Sequence, residues 1–234
     1  MIRLNDRLSA MAAEVRPGQR VLDVGTDHGY LPLYLWERGI APQVIMSDIS
    51  SGSLQKAAEN CRLYFPHESF DLRLGNGLEV IKPHEVDCVI IAGMGGILIR
   101  DILAQDRAKS LAFQRLILQP RNNVGRLRYW LLNNGFHITR EQLAKEGRYI
   151  CEIITAEPGE RAVSRNLGPE RIEYQYPHTL IDFKNPLTEE YLRRKLAEEE
   201  HILAGLRQSS APDREAIRSR QYRIDYLERL IKKL

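Results

Sequence analysis

Five short strand-like runs dominate the first half of the chain: 20–24, 43–47, 70–74, 86–92 and 113–119. Stretches with helical spacing follow most of them, at 32–38, 53–62, 95–103 and 124–133. Strands joined through helices pair in parallel, because a parallel connection needs a long crossover. The run Val86–Ala92 is almost wholly apolar, as expected of a strand covered on both faces. The rhythm then changes. Phe136–Leu143 and Arg148–Thr155 are strand-like runs separated only by Ala144-Lys145-Glu146-Gly147, which reads as a hairpin. The expectation is an α/β fold with a mostly parallel seven-stranded sheet and an antiparallel edge. Leu4, Leu8, Met11 and Val15 add a short amphipathic helix in front, ended near Pro17-Gly18.

The last third reads differently. Residues 158–186 are a mixed polar connector. Leu192, Leu196, Leu203 and Leu206 then fall on a heptad seam that Glu199 interrupts. Ile217, Ile224 and Ile231 are seven apart, with Leu227 and Leu234 between or after them and Arg220 as the exception. A turn near Ser209-Ser210-Ala211-Pro212 would fold these runs into a small antiparallel coiled coil. An intramolecular pair hides the stripe without a partner, so a monomer is favoured and a dimer is the alternative. The domain division expected is 1–157 and 158–234.

The bulk properties leave the partner open. The net charge of +3 over 234 residues is mildly basic, and acid and base nearly balance through residue 157. A nucleic-acid surface must then be a local patch. The three cysteines are far apart, which fits neither a disulfide framework nor a zinc site and points to a reducing compartment. No leader and no apolar run of spanning length is read, so the expected location is cytoplasmic.

The loops carry the chemistry. VLDVGTDHGYLP at 21–32 opens like the strand and glycine turn of a cofactor-binding domain. A dinucleotide loop needs G-x-G-x-x-G, and here its third position is Asp27. A carboxylate beside a pyrophosphate is repelled, whereas a sulfonium ligand tolerates it. Asp48 ends the second strand, where an acid accepts both hydroxyls of a ribose or simply favours a helix N-terminus. Asn76 lies between two glycines, as an adenine-edge partner or a left-handed turn residue. Ile91-Ala92-Gly93-Met94-Gly95-Gly96 leaves the fourth strand end bare, and Gln119-Pro120-Arg121-Asn122-Asn123 adds polar groups at the fifth.

Five motifs in order then form a pattern: DVGTDHGYLP at 23–32, GNGLEVI at 75–81, IAGMGG at 91–96, LILQP at 116–120 and RYICEII at 148–154. Together they resemble the bacterial tRNA (adenine(22)-N1)-methyltransferase family, often called TrmK. The resemblance implies a class I S-adenosylmethionine-dependent methyltransferase domain, Rossmann-like, with a C-terminal coiled-coil domain. It implies S-adenosyl-L-methionine as cofactor and tRNA as partner; the chemistry requires no metal, and neither a membrane nor a stable protein partner is expected. Gly25, Thr26 and Gly29 would shape the methionine side, Asp48 would hold the ribose, and Asn76 and Gly77 would flank the adenine. Asp23, Ile49, Ala92 and Gly93 complete the cofactor set. Asp27, His28 and Tyr30 would face the target as catalytic residues. Met94, Gly95, Gly96, Gln119, Pro120, Arg121 and Asn122 would form the substrate side, with Gly93–Gly96 as its floor. Two positions depart from the family pattern: Asn76 replaces an acid, and Arg121 stands where asparagine is more usual.

In such a reaction adenine N1 attacks the sulfonium methyl in line. Asp27 would stabilise the charge developing on the ring or orient its amino group. His28 would remove a proton after transfer or steady the loop through a hydrogen bond. Arg193, Arg194, Lys195, Arg214, Arg218, Arg220 and Arg223 are phosphate candidates in the tail, and solvated helix faces explain them nearly as well. Arg126 with Arg128, and Arg140 with Lys145 and Arg148, are further candidates. Three other readings stay open: a methyltransferase for another substrate such as rRNA, a nicotinamide-linked oxidoreductase, and a noncatalytic RNA-binding protein with this fold.

Overall fold

The computed structural model describes residues 1–159, 168–209 and 213–234. Helix α1 (Asp6–Ala12) leads into β1 (Val21–Val24), α2 (Tyr30–Glu37), β2 (Val44–Asp48), α3 (Ser51–Tyr64) and β3 (Asp71–Leu74). A 3-10 turn at Gly77–Val80 precedes β4 (Cys88–Met94) and α4 (Gly96–Gln105). Next come α5 (Arg107–Ala112), β5 (Arg115–Pro120) and α6 (Val124–Asn133). The hairpin β6 (Phe136–Glu146) and β7 (Tyr149–Pro158) is followed by the short helices α7 (Ile172–Gln175) and α8 (Thr179–Asp182). The long helices α9 (Thr188–Gln208) and α10 (Arg214–Ile231) end the chain. The turn expected at Ser209–Pro212 falls largely on 210–212, and the middle of the connector on 160–167; both lie outside the described residues.

The sheet order is β3-β2-β1-β4-β5-β7-β6. β1 to β5 are parallel, and β7 runs antiparallel to both β5 and β6. This is a Rossmann-like, mixed and mostly parallel sheet. The chain order reverses direction between β1 and β4, which opens a crevice at their carboxyl ends. Side-chain alternation explains the two covered faces. Leu22, Val24, Val89 and Ile91 pack with Ile99, Leu103, Leu127 and Leu131 on one side. Val21, Val44, Cys88 and Ile90 pack with Met11, Leu31 and Leu35 on the other. Burying one such leucine or isoleucine side chain stabilises the fold by about 1.5–3 kcal/mol.

Local chemistry sets the boundaries. Ser50 caps α3 by accepting the Ser53 N–H. α6 ends at Asn134, and Gly135 takes φ +88° just beyond it. The hairpin closes more tightly than expected. Glu146 pairs with Tyr149, leaving only Gly147-Arg148 in the loop, with Gly147 at φ +58°. β6 therefore runs on through Ala144-Lys145-Glu146, residues the sequence suggested for the turn.

A buried ion network ties this hairpin to the helices on either side of it in the chain. Arg128 of α6 donates to Glu141 of β6 and Glu152 of β7, each at 2.5 Å, and to the carbonyl of Tyr174 at 2.9 Å. Tyr191 of α9 donates to the other Glu152 oxygen at 2.6 Å, and Thr179 of α8 donates to Glu141. Burial opposes the Arg128 charge, but the two carboxylates outweigh it and hold its pKa above the ordinary arginine value. Apolar residues do the same: Leu143 and, partly buried, Ile150 of the hairpin share a cluster with Tyr191, Leu192, Leu227 and Leu230. α9 and α10 pack antiparallel, as shown by Arg207 donating to Gln221 near one end of the pair and Leu192 sharing a cluster with Leu227 near the other. The two exceptions to the heptad pattern meet. Buried Glu199 accepts from Arg220 at 2.5 Å and from Arg223 at 2.6 Å.

Candidate active site

A cavity of about 570 Å³ opens at the crevice between β1 and β4. Its wall gathers the expected Asp23, Gly25, Thr26, Asp27, His28, Tyr30, Asp48, Ile49, Asn76, Gly77, Ala92, Gly93, Met94 and Arg121. Gly25 adopts φ +75°, and a Cβ there would strike the Met94 side chain. The glycine thus keeps the backbone bare where a ligand approaches. Gly93, also at φ +75°, leaves room beneath the Arg121 guanidinium. Gly77 at φ +53°, not Asn76 at φ −96°, takes the left-handed turn. The Asn76 side chain makes no capping bond, so its amide remains available to the cavity.

The acids differ in environment. Asp23 is buried and accepts from the Thr26 hydroxyl at 2.6 Å. Burial pushes its carboxyl up to about 6, against the opposing pull of Thr26 and then Arg7. Asp48 accepts the Ser50 N–H on Oδ1 at 2.8 Å. Asp27 stands at the rim with φ +46°, half exposed. Its two oxygens lie 3.1 Å from Lys56 Nζ and 3.5 Å from His28 Nε2. The His28 ring stacks on Tyr30 at 5.6 Å between centroids.

The structure adds residues that the sequence did not single out. α1 brings Asn5, Arg7, Leu8 and Met11 to the wall, and α4 brings Leu98 and Ile102. Arg7 donates to Glu146 at 2.7 Å and to the Gln119 side chain at 3.2 Å. The same Gln119 oxygen accepts the Gly93 N–H at 3.2 Å. Lys56 enters from α3. Nothing local marks either cation: Arg7 meets residues more than a hundred positions away, and Lys56 sits on an ordinary exposed helix face.

Several expected residues lie elsewhere. Gly29 starts α2 at φ +71° and packs below the loop, where a Cβ would come within 2.9 Å of Met46. Gly95 and Gly96 are not part of the cavity floor. A Cβ on Gly96 would come within 2.7 Å of the Asn122 carbonyl, so this glycine lets the loop after β5 lie against α4. Gln119, Pro120 and Asn122 line a second cavity next door. The suggested phosphate contact Arg128 is a buried structural ion. Arg220 and Arg223 are committed to Glu199, and Arg193, Arg194 and Lys195 pair with Glu189, Glu190 and Glu198 of their own helix. Arg126, Arg140 and Lys145 pair with Glu170, Glu14 and Glu190. Arg214 and Arg218 have no carboxylate partner among the described residues.

A family model for a methyltransferase domain matches residues 4–154. A tRNA (adenine(22)-N(1))-methyltransferase of Bacillus subtilis is 34% identical over 160 residues, covering 68% of this chain and 67% of that protein. The chain belongs to the tRNA (adenine(22)-N1)-methyltransferase family. The crystal structure of the B. subtilis M1A22 tRNA methyltransferase TrmK superposes with a TM-score of 0.85 at 28% identity, covering 99% of this chain and all of that one. M. capricolum TrmK in complex with S-adenosyl-homocysteine gives 0.80 at 26% identity, covering 98% of each chain. The residues of this methyltransferase fit S-adenosylmethionine. Bare glycine backbone at Gly25 and Gly93, the carboxylates of Asp23 and Asp48 and the amide of Asn76 together line a cavity suited to a ligand that carries hydroxyl, amine and cationic groups. No helix among the described residues is long and apolar enough to cross a membrane.

Proposed function

We propose that this enzyme transfers a methyl group from S-adenosyl-L-methionine to N1 of adenine 22 in the D-arm region of tRNA. The observation that carries the reading is the convergence of Asp23, Asp48, Asn76 and the two glycine turns on one cavity at the strand-order reversal, in a chain of this family. When bound, S-adenosylmethionine supplies the sulfonium methyl. Asp48 accepts from the ribose hydroxyls and Asn76 from the adenine amino group. Asp23 and Arg7 meet the ammonium and carboxylate of the amino-acid end. Asp27 faces the charge that develops on the target ring, with Lys56 and His28 setting its position. Neutral adenine N1 already holds a lone pair, so no base need act before attack. The wall at Met94 and Arg121 holds the base in line, and alignment supplies much of the rate.

We assign the chemistry to residues 1–157 and the grip on RNA to residues 158–234. The helical pair acts there as a small coiled-coil domain that senses RNA shape rather than sequence. The enzyme works as a cytoplasmic monomer.

The test is transfer of labelled methyl groups to purified, unmodified tRNA, with the modified nucleoside mapped. Label as N1-methyladenosine at position 22 is expected. A cofactor-binding preparation that labels no tRNA overturns the assignment.

A further inference from the structure

A second cavity of about 710 Å³ lies beside the first, walled by the loop after β5, the hairpin and α9. The two share Arg121, which lines both. Arg121 has no carboxylate partner among the described residues. At the outer wall Tyr149 is 60% exposed, a large aromatic side chain left in water. The Arg148 guanidinium stands 5.0 Å from its ring centroid and donates to its hydroxyl at 2.8 Å. Arg194 of α9 in turn donates to the Arg148 carbonyl at 2.6 Å, fixing this pair to the helical tail.

The charges of this cavity are unequal. Its two acids are already satisfied: Glu146 by Arg7, and Glu152 by Arg128 and Tyr191. Its cations are Lys195 and Arg121. Lys195 lies 2.9 Å from Glu198 and 5.8 Å from the Tyr191 ring, and Arg121 stands open at the lip. An exposed ring, an arginine without a carboxylate partner and neutralised acids are the composition of a nucleotide subsite.

We propose that this second cavity receives a nucleotide adjoining the target adenosine, with Tyr149 as its stacking platform and Arg121 on the phosphate between the two. The proposal rests on the tRNA-methylation reading of the first cavity. A base drawn out of its stack leaves a neighbour with one face bare. Arg121 sits where the backbone must pass from one cavity to the other. The Tyr149 face replaces the lost stack, and it accepts any base because every base has a π-face.

The test pairs protein variants with altered RNA. Steady-state methylation and direct RNA binding are measured for wild type, Tyr149→Ala and Tyr149→Phe. Each is assayed on intact tRNA and on tRNA abasic at either nucleotide flanking the target. Tyr149→Ala should raise KM for tRNA about tenfold, mostly sparing kcat, with cofactor affinity at the wild-type level. Tyr149→Phe should restore the KM, since it keeps the ring. One of the two abasic positions should reproduce the loss in wild type and add nothing in Tyr149→Ala. Wild-type KM in Tyr149→Ala, or full additivity with both abasic positions, overturns the proposal. Failure of the wild type to methylate any intact tRNA overturns the underlying reading instead and takes this proposal with it. The wild-type control separates the two failures.

Discussion

Cofactor binding should tighten as pH rises from 5 to 7, and Asp23 is the reason. In the ligand-free protein burial holds its carboxyl at about 6, above the ordinary 3.8. A cationic ammonium binds the ionised form, so the dissociation constant scales with one plus the ratio of protonated to ionised Asp23. That factor is about 11 at pH 5 and about 1.1 at pH 7, a tightening of about tenfold or ~1.4 kcal/mol. At pH 6 about half a proton should leave on binding. Calorimetric titration with S-adenosylhomocysteine, in buffers of different ionisation enthalpy, measures both quantities. The slope must vanish in Asp23→Asn. The ligand-free chain should respond in the opposite sense. A raised pKa favours the protonated folded form, so this contribution is full below 3.8 and is lost as pH rises through 6. At pH 7.5 Asp23→Asn should accordingly stabilise the ligand-free protein, by up to ~3 kcal/mol. A flat affinity between pH 5 and 7 with no proton release, or a slope retained in Asp23→Asn, refutes the argument.

Asp27→Ala should lower single-turnover methyl transfer about 10²- to 10³-fold while cofactor affinity changes little; equal turnover would remove Asp27 from the chemistry. Arg128→Ala leaves Glu141 and Glu152 buried without their cation, and urea unfolding should register a loss of about 3–5 kcal/mol. Gly96→Ala drives a Cβ against the Asn122 and Asn123 carbonyls, at 2.7 and 2.8 Å. Thermal unfolding should show about 1–3 kcal/mol of destabilisation, and KM for tRNA should rise more than the cofactor dissociation constant.

The parallel core was readable because its central strands, β4 and β5, carry runs of consecutive apolar residues, Cys88–Ala92 and Leu116–Leu118, and burial on both faces demands that pattern. The glycine loops were readable for a related reason: Gly25, Gly77 and Gly93 stand where side chains cannot. Short elements were not. α5 has six residues and α7 and α8 four each, less than two turns, which leaves no period to detect. The hairpin was underestimated because β6 ends on Lys145-Glu146 directly before Gly147, and polar residues next to a glycine resemble a turn. Charged residues hid the most. Arg128 reads as surface until Glu141 and Glu152 converge on it. Arg7 and Lys56 reach the site across the fold rather than along the chain. Glu199 and Arg220 did leave a trace, since each breaks its own heptad and the two breaks answer one another.

The network around Arg128 bears on how such a protein can be inherited. Recombination favours junctions that few contacts cross, because each fragment then keeps its own core. Residue 158 is no such junction here. Glu152 satisfies an arginine from one side and a tyrosine of the tail from the other, and Leu143 and Ile150 lie under the tail helices. A gene carrying only the first 157 codons would encode a sheet edge with an uncovered apolar face and a buried carboxylate deprived of its tyrosine. The tail is therefore expected to pass down the lineage with its sheet as one heritable piece, and a borrowed helical pair would serve only if it brought a hydroxyl to the same glutamate.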